Sequence, residues 1–276
     1  MKFKKTISLA CISLMIGQLT AQEIGLQLYS LRNEFKKDVP GTFAKIKSWG
    51  ITKLEDGNDG TQGYTMKEYK ALLASYDLEI VSASAAFDEL ESQPNTAAER
   101  AVDYGARYLV CFWIPHNGSN YTVEDNQKAI AVFNKAGKLL KENGVTLVYH
   151  PHGYEFRPYK ETSLMDDMIQ KAEYFDFEMD VYWFAHAGED PVEWLRRYPG
   201  KFKLMHLKDC EKGVAGNNRG ESDVETNVVL GTGQIDIAAV VAEAKKMGIE
   251  YLFIEDESSK VVEQVPMSLN YLKGLE

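Results

Sequence analysis

The chain has 276 residues, 45% of them hydrophobic and 26% charged, with a formal net charge of −10. This composition is ordinary for a soluble globular protein with a large core. The acid excess repels phosphate backbones, and no basic run offsets it, so nucleic acid is disfavoured as a partner.

The N-terminus is set apart. Lys2, Lys4 and Lys5 precede an apolar stretch from Ile7 to Ile16, and Leu19-Thr20-Ala21 ends in a small residue. That is the layout of a secretory signal peptide. The stretch is shorter than the roughly 20 residues a spanning helix needs. Residues 1–21 are therefore expected to be removed on export to the periplasm, leaving residues 22–276 as one domain without a membrane anchor. Cys11 lies inside the apolar stretch, not after it, which argues against lipidation. Removing three lysines and no acids leaves 31 − 3 = 28 basic residues against 41 acidic ones, a formal charge of −13. Cys111 and Cys210 remain, too few to suggest a disulfide framework.

Strand-like and helix-like segments then alternate. The strand candidates are Ile24–Tyr29, Ile51–Glu55, Leu78–Ala83, Tyr108–Trp113, Val145–His150, Phe175–Asp180, Phe202–Leu207 and Tyr251–Glu255. Between them, apolar residues recur at three and four over Gly41–Trp49, Met66–Tyr76, Ala97–Tyr104, Val123–Asn143, Ser163–Glu173, Pro191–Arg197 and Ile235–Met247, with a last amphipathic segment at Val262–Leu272. Gly50, Gly105, Gly144 and Gly248 follow helical segments, where a left-handed residue is wanted. Eight strand–helix units predict an α/β fold, a closed (β/α)8 TIM barrel, over an open doubly wound sheet. The long stretch from Asp209 to Gln234 reads as a structureless loop on the active face, and long loops of this kind serve as lids.

Four apolar runs end in residues able to bind a metal: LVYH in His150, FEMD in Asp180, KLMH in His206 and LFIE in Glu255. Apolar runs are the form of buried parallel strands, and the catalytic face of a barrel is built at their C-terminal ends. Two imidazoles and two carboxylates delivered there suit one divalent metal ion such as Mn, Co, Zn or Mg. His152 and Glu155 follow His150 closely and are candidates for acid–base work or substrate contact. Lys208 alternates onto the side of His206. There it could stabilise negative charge on a substrate oxygen, or form a rim ion pair with Asp209 or Glu255. Glu255 can both ligate and move a proton, whereas Asp256 and Glu257 read as an acidic surface turn. Glu55 ends the second strand and is a candidate for contact with substrate or with a histidine. Trp113, Trp183, Tyr29 and Phe87 fall at or just past strand ends; Trp113 and Trp183 are the candidate platforms for a sugar face. A Gly-rich phosphate loop, a CxxC pair and a nucleophile elbow are missing.

The ordered pieces IGLQLYSLR, GITKLEDG, VYHPHGYEF, MDVYWFAHAGEDP, HLKD and VVLGTGQIDIAAVVAEAKKMGIEYLFIEDE cover residues 24–275. Together they resemble the sugar phosphate isomerase/epimerase family of the xylose-isomerase-like TIM-barrel superfamily, with the YHxH…EF sequence similar to the inosose-dehydratase-like branch. The resemblance implies a metal held by acids after strands five, six and eight and a histidine after strand seven. The last three positions match Asp180, His206 and Glu255. The first falls on His150, a departure that removes one carboxylate. Relatives also often carry a histidine after strand three, where this chain has Ser84. The implied chemistry is isomerisation, epimerisation or dehydration of a keto-sugar or polyol derivative through an enediolate. A signal peptide points further to an unphosphorylated sugar. Two alternatives are a non-catalytic carbohydrate-binding barrel and a metal phosphoesterase like the endonuclease branch, the latter opposed by the net charge. The sequence does not set the oligomeric state and leaves a homo-oligomer open.

Overall fold

The computed structural model describes residues 22–57 and 60–275. The expected signal peptide, residues 1–21, lies outside the described residues. Eight parallel strands close a barrel in sequence order, with the last pairing the first. They are β1 (Glu23–Gln27), β2 (Lys53–Glu55), β3 (Glu79–Ser84), β4 (Tyr108–Cys111), β5 (Thr146–Tyr149), β6 (Phe175–Asp180), β7 (Phe202–Leu207) and β8 (Tyr251–Ile254). The main outer helices are α1 (Val39–Trp49), α2 (Met66–Ser75), α3 (Pro94–Tyr104), α4 (Val123–Glu142), α5 (Leu164–Lys171), α6 (Pro191–Arg197), α7 (Ile237–Met247) and α8 (Val261–Lys273). The predicted TIM barrel is thus the observed fold.

Local chemistry sets the ends of these elements. Thr65, Thr122 and Ser163 open α2, α4 and α5 as capping boxes with Glu68, Asp125 and Asp166. Gly50, Gly105 and Gly248 close α1, α3 and α7 in the left-handed region. Several predicted strands run too long. β4 stops at Cys111, and His150 and Glu255 lie one residue beyond β5 and β8. These residues face the rim, where the chain leaves the ladder to form loops. Short helices at Phe87–Ser92 and Val181–His186 were not anticipated. The stretch from Asp209 to Gln234 is not structureless: Asp209–Cys210 pairs antiparallel with Asn227–Val228, and Val224–Thr226 forms a single 3₁₀ turn.

Two layers of side chains fill the molecule. Between barrel and helices lies the main core. Inside the barrel, Val81, Val110, Val148, Leu204, Tyr251 and Phe253 form a separate cluster, with Phe112 packed above it. Strand alternation then carries the next inward positions upward. On β6 they are Glu178 and Asp180, on β7 His206, and on β8 Phe253 followed by Glu255. Register places Asp180 opposite His206, and His206 opposite Phe253. The apolar plug therefore ends where a polar layer begins. Phe87, expected near the rim, instead packs against Phe133 in the outer core, because its short helix turns it away from the barrel axis.

Glycine positions separate packing from backbone strain. A Cβ on Gly137 in α4 would lie 2.1 Å from the carbonyl oxygen of Tyr174, whereas one on Gly105 meets open space but sits at φ +76°. Gly105→Ala should cost about 1 kcal/mol, from left-handed strain alone. Gly137→Ala forces α4 off its neighbour and should cost more, in the range of about 1–3 kcal/mol for overpacking. Thermal unfolding of the two variants checks this ordering. Equal or reversed losses of Tm would show that the α4 contact yields.

Candidate active site

A cleft of about 500 Å³ opens at the C-terminal end of the barrel. Its floor is His150, His206 and Glu255; its walls include Trp113, His152 and Trp183. One ligand atom from each of His150, Asp180, His206 and Glu255 lies within 4.8 Å of the others. The four strand-end residues singled out in the sequence therefore converge on one point.

His206 is the hub. Its Nδ1 lies 2.9 Å from Glu255 Oε2 and 4.0 Å from Asp180 Oδ2. Its Nε2 faces the barrel interior, in contact with Glu55 and 3.3 Å from Glu178 Oε1. Burial disfavours charge on this ring, but Glu178, Glu55 and Glu255 outweigh it and raise its pKa well above the usual histidine range. Glu178 was not anticipated. It is fully buried, and burial together with the adjacent Glu55 pushes it well above the usual carboxylate range. Its position two residues before Asp180 on the same strand was the available signal.

Asp180 caps the helix Val181–His186. Its Oδ1 accepts hydrogen bonds from the backbone N–H of Tyr182 at 2.7 Å and Trp183 at 3.2 Å, fixing the carboxylate. Its other oxygen, 3.4 Å from His150 Nε2, is buried without a hydrogen-bond partner. Burial, with Glu255 nearby, pushes Asp180 up to about 7. Both ring nitrogens of His150 are likewise buried and unpartnered. Burial, then the adjacent His206, lower its pKa well below the usual range and keep the ring neutral. Burial also works against charge on Glu255, but Lys208 and His206 outweigh it and hold the carboxyl well below its ordinary range.

The remaining candidates divide. His152, Trp113 and Trp183 line the cleft. His152 lies with its ring 4.6 Å from that of His150 and 5.3 Å from Trp113. Glu155 does not reach the cleft. The 3₁₀ turn Tyr154–Phe156 rotates it inward, where it accepts from the Tyr149 hydroxyl and the His152 backbone N–H. Glu55 does not line the cleft either, being fully buried beneath His206. Lys208 is fully buried, and its ammonium ends on Glu257 and, at 3.8 Å, on Glu255. The expected acidic surface turn is also corrected. Asp256 is buried and accepts from Ser258, and Glu257 lines the cleft. Ser84 bonds Asp56 at 2.8 Å, at a distinct indentation between β2 and β3. Cys111 and Cys210 are free buried thiols.

Burial pushes Glu155 up to about 7, above an unfolded value near 4.5. A raised acid favours the folded state fully below the unfolded pKa and loses that contribution as pH rises through 7, on the order of 3 kcal/mol in all. Glu155→Gln should therefore flatten the fall in stability between pH 5 and 8, measured by Tm in the presence of EDTA. An unchanged slope would remove Glu155 as its source.

Comparison with known proteins agrees with this architecture. The family model for the xylose isomerase-like TIM barrel matches residues 43–275. The inosose dehydratase of Mesomycoplasma hyopneumoniae strain J is 26% identical over 191 residues, 69% of this chain and 60% of that protein. The chain thus spans less than two thirds of the length of that curated relative. A sugar phosphate isomerase/epimerase from Parabacteroides distasonis superposes with a TM-score of 0.74 at 26% identity, covering 92% of this chain and 98% of that one. The IOLI protein with a bound zinc atom superposes with a TM-score of 0.73 at 13% identity, covering 92% and 98%, a likeness of fold. The chain belongs to the xylose isomerase-like TIM barrel family.

Proposed function

We propose that this protein is a divalent-metal-dependent carbohydrate enzyme, an isomerase, epimerase or dehydratase acting on a keto-sugar or polyol derivative. The observation that carries the reading is the convergence of His150, Asp180, His206 and Glu255. The residues fit a metal on their own chemistry. Asp180 Oδ2 and both nitrogens of His150 are buried without a hydrogen bond, Oδ2 and Nε2 facing each other at 3.4 Å, a costly arrangement unless something binds them. Two nitrogen and two oxygen donors suit a borderline cation such as zinc, manganese or cobalt. The relatives named above, an inosose dehydratase, a sugar phosphate isomerase/epimerase and a zinc-binding barrel, support the same class.

When bound, a divalent cation would polarise a carbonyl and make the neighbouring C–H more acidic, favouring an enediolate. The chain's own residues do the rest. Asp180 is held by the start of the helix Val181–His186, and His206 by Glu55 on its far nitrogen, so both are oriented in advance. His152 lines the cleft and stands outside the four-residue cluster. Burial lowers its pKa well below the usual range, which keeps the ring neutral at some cost in basicity; its place in the cleft wall makes it the group to exchange a proton with the substrate carbon. Glu255 is the second proton carrier. Trp113 and Trp183 offer aromatic faces to the C–H face of a sugar ring. Export through residues 1–21 remains part of this proposal.

His206→Ala and Asp180→Ala should lose bound metal while the barrel still folds, and His152→Ala should keep metal. Metal content is read by elemental analysis and fold by circular dichroism. Wild-type metal content in either ligand variant would sink the assignment. The reaction itself is tested by NMR with keto-sugars in deuterated water. Uptake at a single carbon is expected, slowed roughly 10²–10⁴-fold in His152→Ala. A metal-loaded protein that exchanges no sugar proton would leave a carbohydrate-binding barrel as the better reading.

A further inference from the structure

Carboxylates line the cleft, and the cations near it are paired with them. Among the described residues, no lysine or arginine lines it, although Glu221, Glu255 and Glu257 do. Two cations approach from behind and from the side, and both end on Glu257. The Lys208 ammonium bonds Glu257 Oε1 and is boxed in by the rings of Tyr182 at 5.3 Å and Trp183 at 5.6 Å. The Arg32 guanidinium donates to the backbone carbonyl of Glu257 at 3.1 Å and lies 3.7 Å from its carboxylate. It also donates to the Tyr29 carbonyl at 3.0 Å and stacks 4.3 Å from that ring. A third cation, Arg219, beside the lining residue Gly220, lies 3.7 Å from Glu221.

Glu257 is itself fixed. Its backbone N–H donates to Asn227 at 3.0 Å, which ties it to the paired segment at Asn227–Val228. A phosphate or carboxylate entering the cleft would meet acidic walls and find Lys208 and Arg32 already bonded to Glu257 and Arg219 paired with Glu221. Phosphate recognition needs free, charge-assisted donors. The groups that remain available are uncharged: Gln27, whose Oε1 is buried without a partner, Ser222, and the aromatic faces of Tyr29, Trp113 and Trp183.

Resting on the carbohydrate reading above, we infer that the cleft takes an uncharged polyol or keto-sugar and rejects its phosphate or carboxylate forms, with Glu257 as the specificity-determining residue. The carboxylate acts by occupying Lys208 and Arg32. Its removal would turn the same cleft into an anion site.

The test uses the full chain freed of metal with EDTA, so that an anion reports on side chains alone. Inorganic phosphate, glucose and glucose 6-phosphate are titrated by calorimetry into wild type, Glu257→Gln and Glu257→Asp. Freeing one charged hydrogen-bond partner should tighten phosphate and glucose 6-phosphate by about tenfold or more in Glu257→Gln. Glu257→Asp, which keeps the charge, should exclude them as wild type does. Equal phosphate binding in wild type and Glu257→Gln would overturn the inference. If Glu257→Gln does not fold, wild type decides: preference for glucose 6-phosphate over glucose overturns the inference, and the reverse upholds it. Rejection of phosphate and glucose 6-phosphate by wild type upholds the anion exclusion whether or not glucose binds, and the carbohydrate reading is judged separately by deuterium uptake in the metal-loaded protein.

Discussion

One imidazole at the top of the barrel plug organises this molecule. The two nitrogens of His206 point in opposite directions, one to the cleft and one to the interior. Every buried acid in the polar layer is arranged about that axis. Glu55 and Glu178 lie below it, and Asp180 and Glu255 lie at the level of the cleft. Four carboxyl groups within reach of one ring would repel one another if all were ionised in a low-dielectric interior. The structure resolves this by treating them unequally. Glu178 is driven toward its protonated form, while Glu255, beside Lys208 and His206, is held charged.

Much of this was legible in the sequence, for a simple reason. A parallel barrel strand buried on both faces must be an apolar run, and a polar residue closing such a run marks the rim. His150, Asp180, His206 and Glu255 all obey that rule. What escaped notice was polar residues within or beyond the runs. Glu178 sits in FDFEMD between apolar neighbours, and only its period-two relation to Asp180 placed it inside. Glu155 was misplaced because its spacing from His152 said nothing of the 3₁₀ turn that rotates it inward. Glu257 and Asp256 looked like a surface turn because acidic runs usually are solvated. Their partners, Arg32, Ser30 and Asn227, lie 30 to 226 positions away in the sequence.

Substitution of an imidazole for the carboxylate that the family resemblance places after strand five fits the same charge economy. Burial keeps His150 neutral, so with a divalent cation bound only Asp180 and Glu255 would supply negative charge, enough to balance it. A third carboxylate would leave an excess negative charge in the wall of the cleft. Lys208, already shared between Glu257 and Glu255, would have a third carboxylate to offset. The imidazole, the Lys208–Glu257 contact and the absence of a lining cation among the described residues thus point the same way. Each leaves the cleft without a free cation to offer, and such a cleft discriminates by shape, hydrogen bonding and aromatic faces, which is the kind of recognition an uncharged polyol requires.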